Sequence, residues 1–318
     1  MKVKVIGCGR WGATIAWYLD SIGHDVTVYG LADAPQMIEL QNTRKNSFLE
    51  LPESVKLTTD INAVADAEVV VISINSQGLR GLMGELRDAG LCGKTFVLCM
   101  KGLEISTGKR LSQVVSEFLT GDGRVAVWVG PGHPQEFYAG IPNCMVIDSE
   151  DDGLKRTLVD SFSSGLIRFY YGRDLIGNEI GAALKNVVGI AAGMLDGLGM
   201  TTLKGALMSR GTHEVARFIK ASGGNELSAY GLCHLGDYEA TVFSKFSHNR
   251  MFGEKFVKGE SYTDLAEGYY TADAVERQAA KLDIEMPICH GVYNILYNGV
   301  TVSDEIEILF TRTLKKEF

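Results

Sequence analysis

Val3-Lys4-Val5-Ile6-Gly7-Cys8-Gly9-Arg10-Trp11-Gly12 is the stretch on which the fold turns. An apolar run of strand character enters a GxGxxG turn. A helical pattern follows, with Trp11, Ile15, Ala16 and Leu19 on one face. Ser21-Ile22-Gly23-His24 closes that pattern, and Val26-Thr27-Val28-Tyr29 reads as the next strand. A lone GxGxxG says little. Between a strand and a helix, inside a βαβ unit of about thirty residues, it reads as a dinucleotide site. Gly7 permits the tight turn, Gly9 lets the backbone approach a pyrophosphate, and Gly12 allows close helix–strand packing. The helix N-terminus then offers free N–H groups to the phosphates, flanked by Arg10 and Trp11.

Outward from this unit, apolar β-branched runs recur at residues 69–72, 95–98, 125–129, 144–147 and 167–171. Helical patterns at 78–89 and 110–119 lie between them. Continuous rather than alternating apolar strands predict a sheet buried on both faces, as parallel sheets are. Beyond about residue 173 the strand patterns stop, and a long helical pattern begins near Leu175. The expected architecture is α/β. A Rossmann-type, doubly wound parallel-sheet domain occupies residues 1–173, and an all-α substrate domain occupies residues 174–318.

Composition narrows the function. The 318 residues carry a net charge of −8, which argues against a nucleic-acid or anionic-membrane binder, since both need a basic face. A few local cations can still hold a small phosphorylated substrate. Cys8, Cys92, Cys99, Cys144, Cys233 and Cys289 form no CxxC or CxxH pair. They read as buried free thiols of a reducing compartment, without a metal site. Met1-Lys2-Val3-Lys4 enters a strand with no signal-peptide pattern, and the nearly apolar residues 184–195 are too few to span a bilayer. The expectation is a cytoplasmic protein. Glu150-Asp151-Asp152 reads as an acidic helix start and Lys315-Lys316 as a solvated tail.

Cofactor choice is less sharply written. No acid stands at the end of the second strand, where Tyr29-Gly30-Leu31-Ala32 is found, and Arg44 or Lys45 is near enough in sequence to meet a 2′-phosphate. NAD or NADP is expected, with the lean toward NADP.

The residues 181–193, Gly-Ala-Ala-Leu-Lys-Asn-Val-Val-Gly-Ile-Ala-Ala-Gly, place Lys185 in a helix that is apolar all round. Such a helix is buried, and a buried ammonium is costly unless paired or used. Snorkelling to the surface is one answer. The other is a proton donor to a carbonyl as hydride arrives.

Taken with these features, further segments resemble the bacterial NAD(P)-dependent glycerol-3-phosphate dehydrogenase family nearly end to end. They are Met100-Lys101-Gly102-Leu103-Glu104, Gly130-Pro131-Gly132-His133-Pro134-Gln135-Glu136, residues 181–199, Gly236-Asp237 with Thr241, Ser247-His248-Asn249-Arg250-Met251-Phe252-Gly253, Glu267-Gly268 and Glu285-Met286-Pro287-Ile288. The resemblance implies reduction of dihydroxyacetone phosphate to sn-glycerol 3-phosphate for phospholipid synthesis, by a homodimer. It implies Lys185 as general acid/base with Asp237 beside it, and Lys101 assisting at substrate and cofactor. Asn186, Thr241, His248, Asn249 and Arg250 would meet the substrate, and Asn249 and Glu267 the cofactor. Three positions depart from the family pattern. His248 stands for an arginine that grips phosphate, Asn75 for a proline, and Met200-Thr201-Thr202 for a glycine-asparagine segment. Arg250 is expected to compensate for His248, and His248 to bind phosphate as a charged donor when protonated. His133 is left open between a nicotinamide neighbour and an ordinary loop histidine. Two other readings stand beside this one: a hydroxyacid or ketopantoate-type dehydrogenase on the same fold, and a dinucleotide-binding sensor without turnover. The adjacency of Lys185 and Asn186 favours the phosphorylated substrate.

Overall fold

The computed structural model describes residues 1–314, so Lys315 and Lys316 lie outside the described residues. Eight strands form one sheet: β1 (Lys2–Ile6), β2 (Asp25–Tyr29), β3 (Lys56–Thr58), β4 (Val69–Ile72), β5 (Thr95–Leu98), β6 (Arg124–Val129), β7 (Asn143–Asp148) and β8 (Ile167–Tyr171). Their spatial order is β3-β2-β1-β4-β5-β6-β7-β8. The helices beside the sheet are α1 (Arg10–Ser21), α2 (Pro35–Thr43), α3 (Leu79–Asp88), α4 (Leu111–Ser116), α5 (Pro134–Tyr138) and α6 (Asp152–Phe162). From Leu175 onward the regular elements are helical: α7 (Leu175–Gly197), α8 (Lys204–Ala221), α9 (His248–Val257), α10 (Glu267–Leu282), α11 (Pro287–Tyr297) and α12 (Val302–Thr311), with short 3-10 and π turns between some of them.

The apolar runs make the sheet as expected, with every residue of β4 and β5 buried. One core lies on the α1 and α6 face and another on the α3 and α4 face. Two features differ from the expectation. β3 is a three-residue edge strand too short and polar to show as a pattern. β7 runs antiparallel to β6, with β8 parallel to β7, so β3 to β6 share one direction and β7 and β8 the opposite one. The physical reason is the connection. Between β6 and β7 the only helix is five-residue α5, too little chain in regular structure to carry a parallel crossover, so the strand returns in the opposite sense. The acidic run does open a helix: Asp151 caps α6 by accepting from Leu154 N at 2.9 Å.

Helix α7 is the axis of the second half. Its composition and length would suit a bilayer, yet 83% of its most apolar window is buried inside the protein. One face carries Gly189, Gly193 and Gly197, spaced four apart, and this face meets α9 backbone to backbone. A Cβ at Gly193 would sit 1.9 Å from Arg250 O, and one at Gly253 of α9 only 2.1 Å from Ile190 O. Side chains there would drive the helices apart. Gly193→Val is therefore expected to cost at least about 1–3 kcal/mol, the usual range for overpacking, read as a lower urea midpoint. Gly205→Ala on α8, where a Cβ meets nothing within 4 Å, is expected to leave the midpoint unchanged or raise it.

Candidate active site

The turn after β1 is built as its glycines require. Gly7 adopts φ +115°, and a Cβ there would lie 2.1 Å from Ser73 O. A Cβ on Gly12 would lie 2.0 Å from Gly7 O. Gly9 is different: φ is −71°, and a Cβ would meet nothing within 4 Å. Gly9 is also the N-cap of α1 and brings no side chain to the first-turn N–H groups. The space in front of it is a cleft of about 950 Å³ at the C-terminal ends of β1, β4 and β5, reaching across to α7 and α9. Gly7, Gly9, Arg10, Trp11, Lys101, Lys185, Asn186, Asp237, Thr241, His248, Asn249 and Glu267 all line it. Gly12 lies beneath the loop.

At the cleft's centre two ammonium groups converge on one carboxylate oxygen. Lys185 Nζ lies 2.5 Å and Lys101 Nζ 2.8 Å from Asp237 Oδ2. Lys185 also donates to Thr241 Oγ1 at 2.7 Å, and Lys101 to Gly130 O at 2.7 Å. Burial pushes the Lys185 ammonium down to about 7, against the opposing pull of Asp237. Asp237 Oδ1 is buried with no partner among the described residues. The turn carrying Asp237 is pinned from below by His234, fully buried, whose Nδ1 lies 3.0 Å from Gly181 O and whose Nε2 lies 2.7 Å from Tyr238 OH. Burial holds that imidazole neutral, at about 4. Nothing in the sequence reading pointed to this support.

A chain of amides ties the two halves together. Asn186 Nδ2 donates to Lys101 O (3.0 Å), Asn249 Nδ2 to Asn186 Oδ1 (3.0 Å), and Gly268 N to Asn249 Oδ1 (2.8 Å). Glu267, its acidity weakened by burial, accepts from Ser76 N at 2.9 Å and Ser76 Oγ at 2.5 Å. Asn75, which stands where the family pattern has a proline, caps this turn by accepting from Gln77 N at 2.9 Å. His133 lines the cleft against Phe246, held neutral at about 4 mainly by burial, with Nε2 lacking a partner among the described residues.

Three expectations need correction. Arg250 does not line the cleft. Its guanidinium instead donates to Asp196 (3.0 Å), Glu254 (2.7 Å) and Ser244 O (3.0 Å). It cannot stand in for a missing phosphate ligand while three acceptors hold it. His248 does face the cleft, but its Nε2 meets Arg10 Nη1 and its Nδ1 lies 2.7 Å from Tyr262 OH. Burial and the Arg10 charge lower its pKa, against Asp264, and both ring nitrogens are already engaged, which disfavours a charged donor at this position. Third, the cations named for a 2′-phosphate are engaged elsewhere. Arg44 donates to the Pro52 and Val55 carbonyls, and Lys45 pairs with Glu50 at 3.1 Å. The cleft wall after β2 is Gly30, Leu31, Ala34 and Gln36, neither acidic nor basic. Of the cysteines, all are free, with five buried and Cys144 partly exposed.

Comparison with known proteins decides the family. Residues 2–155 match the model of the NAD-dependent glycerol-3-phosphate dehydrogenase N-terminus, and residues 174–307 match that of its C-terminus. The chain belongs to the NAD-dependent glycerol-3-phosphate dehydrogenase family. Full-length relatives include the glycerol-3-phosphate dehydrogenase [NAD(P)+] of Prosthecochloris aestuarii, 36% identical with both chains wholly covered. That of Thermoanaerobacter sp. is 35% identical over all of this chain and 99% of its own. Among solved structures, the glycerol-3-phosphate dehydrogenase of Coxiella burnetii superposes with a TM-score of 0.91 at 26% identity, covering 98% of this chain and 99% of that one. A ketopantoate reductase from Ralstonia eutropha, at 15% identity and a TM-score of 0.65, shares the fold alone. The chain is thus an NAD(P)-dependent dehydrogenase, and the reaction of its family is reduction of dihydroxyacetone phosphate to sn-glycerol 3-phosphate.

Proposed function

We propose that Lys185 is the proton donor of this reaction, with Lys101 and Asp237 as its partners. The carrying observation is the convergence of Lys185 and Lys101 on Asp237 Oδ2 at the cleft's centre. The cleft fits a dinucleotide: Gly9 presents bare backbone to open space beside an uncapped helix N-terminus. When bound, NADH or NADPH supplies a hydride to the substrate's carbonyl carbon. The carbonyl oxygen gains charge at that moment, and Lys185 passes it a proton. Lys101 adds a second fixed positive charge to stabilise the developing oxyanion. Asp237 favours the charged form of Lys185 and so opposes its desolvation. Asn186 and Asn249 fix α7 against α9, Thr241 orients the Lys185 ammonium, and Glu267 clamps the Ser76 turn. The deciding experiment is absorbance-monitored oxidation of NADH and NADPH with dihydroxyacetone phosphate. Activity on an unphosphorylated keto acid instead would overturn the substrate assignment.

A donor with its pKa near 7 is protonated below that value. The kcat for ketone reduction is expected to fall as pH rises through about 7, and that for alcohol oxidation to rise over the same interval. Both limbs come from initial rates between pH 5.5 and 9, and a flat reduction limb would remove Lys185 from the role. With neither an acid nor a free cation after β2, discrimination between the cofactors is expected to be weak, within about tenfold, one bidentate charged contact being worth at least that. Fluorescence titration with each cofactor measures it. As a working assembly we infer a cytoplasmic homodimer supplying glycerol 3-phosphate to phospholipid synthesis.

A further inference from the structure

Arg10 opens helix α1 in the glycine loop, and its guanidinium reaches across the cleft to His248 at the start of α9. A guanidinium carries only donors, so His248 Nε2 is the acceptor, and the ring is neutral with its proton on Nδ1. That N–H donates to Tyr262 OH at 2.7 Å, with Asp264 at 3.8 Å. Tyr262 is itself covered by Lys255, whose ammonium lies 5.8 Å from the ring centre. Phe48 flanks Arg10 at 5.9 Å. Among the described residues no carboxylate lies within ion-pair distance of the Arg10 guanidinium. Burial accordingly lowers its pKa, with Asp264 and Tyr262 opposing at longer range. The cleft wall thus holds a half-buried fixed cation that the protein does not neutralise. One of its five N–H groups is spent on His248, which leaves a planar fork of donors suited to phosphoryl oxygens.

We propose that Arg10 is the cleft's phosphoryl ligand and that neutral His248, held by Tyr262, is the positioning residue that aims it. The inference rests on the dehydrogenase reading above, in which both the dinucleotide and the substrate carry phosphoryl groups. Because the α9 residues that line the cleft, His248 and Asn249, bring no fixed cation to it, the charge is brought from α1. Protonating His248 breaks the arrangement twice over: the ring loses its acceptor and gains a charge like that of Arg10. Phosphoryl affinity therefore weakens as pH falls through the lowered imidazole pKa and is intact above it.

The test uses the full chain, with two ligands and one control. Arg10→Ser is expected to raise the Kd for NADH or the KM for dihydroxyacetone phosphate by about tenfold or more, the usual loss for a charged hydrogen-bond donor. The KM for phosphate-free dihydroxyacetone is expected to stay within about twofold. Loss confined to NADH assigns the pyrophosphate; loss confined to dihydroxyacetone phosphate assigns the substrate phosphate. His248→Arg placed in the Arg10→Ser background returns a guanidinium from the other side and is expected to restore most of the affinity. Arg10→Lys, which keeps the charge without the fork, is expected to fall between wild type and Arg10→Ser. His248→Gln keeps an acceptor but cannot titrate. It is expected to hold wild-type affinity at pH 7.5 and to lose the acid-side decline, whereas His248→Leu weakens affinity at every pH. Comparing variants on one ligand cancels the ligand's own ionisation. Arg10→Ser with both phosphoryl ligands within twofold of wild type would overturn the proposal, as would His248→Leu indistinguishable from wild type. The NADH arm needs no turnover, so a wild type inactive on dihydroxyacetone phosphate sinks the substrate assignment while Arg10 is still tested.

Discussion

Lys185→Ala is expected to lower kcat by ~10²–10⁴-fold, the usual contribution of a general acid, with NADH affinity within about twofold of wild type. The ammonium is buried, and its hydrogen-bond partners are Asp237 and Thr241. Removing it takes away the proton that must reach the carbonyl oxygen as hydride is delivered. It also leaves Asp237 with Lys101 as its remaining close cation. Stability is therefore expected to fall as well, and the kinetic comparison belongs at a temperature where both proteins are folded. Retention of more than about a tenth of wild-type kcat would show that the proton comes from elsewhere. His133 is the next group to test, since its neutral ring lines the same cleft.

Gly9→Val is expected to abolish dinucleotide binding while the protein stays folded. The three glycines of the loop separate cleanly by geometry. At Gly7 and Gly12 a Cβ would overlap backbone atoms at 2.1 and 2.0 Å, so substitution there damages the fold itself. At Gly9 φ is ordinary for any residue and the Cβ position is open. A valine there fits the protein and fills the space where a pyrophosphate must meet the backbone. Fluorescence titration with NADH reads the first effect and thermal unfolding the second. Unchanged affinity would move the dinucleotide away from this loop, while a collapse of stability would show that the open space is structural.

Residue types in local context made much of this legible. The glycine turn announces itself because a strand precedes it and a helix follows. Lys185 stands out because nothing near it in sequence is polar except Asn186. What stays hidden is long-range geometry. An apolar run such as residues 144–147 carries no direction, so the reversal of β7 follows only from how little helix precedes it. His248, Asn249 and Arg250 are consecutive, yet each helical residue turns about a hundred degrees from the last. Two of the side chains face the cleft, while Arg250 faces Asp196. Which one turns away depends on where α9 starts, fixed by Ser247 accepting from Arg250 N at 3.3 Å. The His248 and Arg10 contact joins residues 238 positions apart and leaves no local mark.

The bare face of α7 has a consequence for how this site can drift over evolutionary or engineered time. The gap between Asn186 and Asn249, one hydrogen bond wide, is set by atoms that are missing at Gly189, Gly193 and Gly253. None of these glycines lines the cleft. Adding a single methyl group at one of them would act as a spacer, widening the distance between the proton-donating helix and the opposite wall while every cleft-lining side chain kept its identity. Substrate size is thus open to adjustment from outside the site, through positions that a survey of reacting groups would pass over.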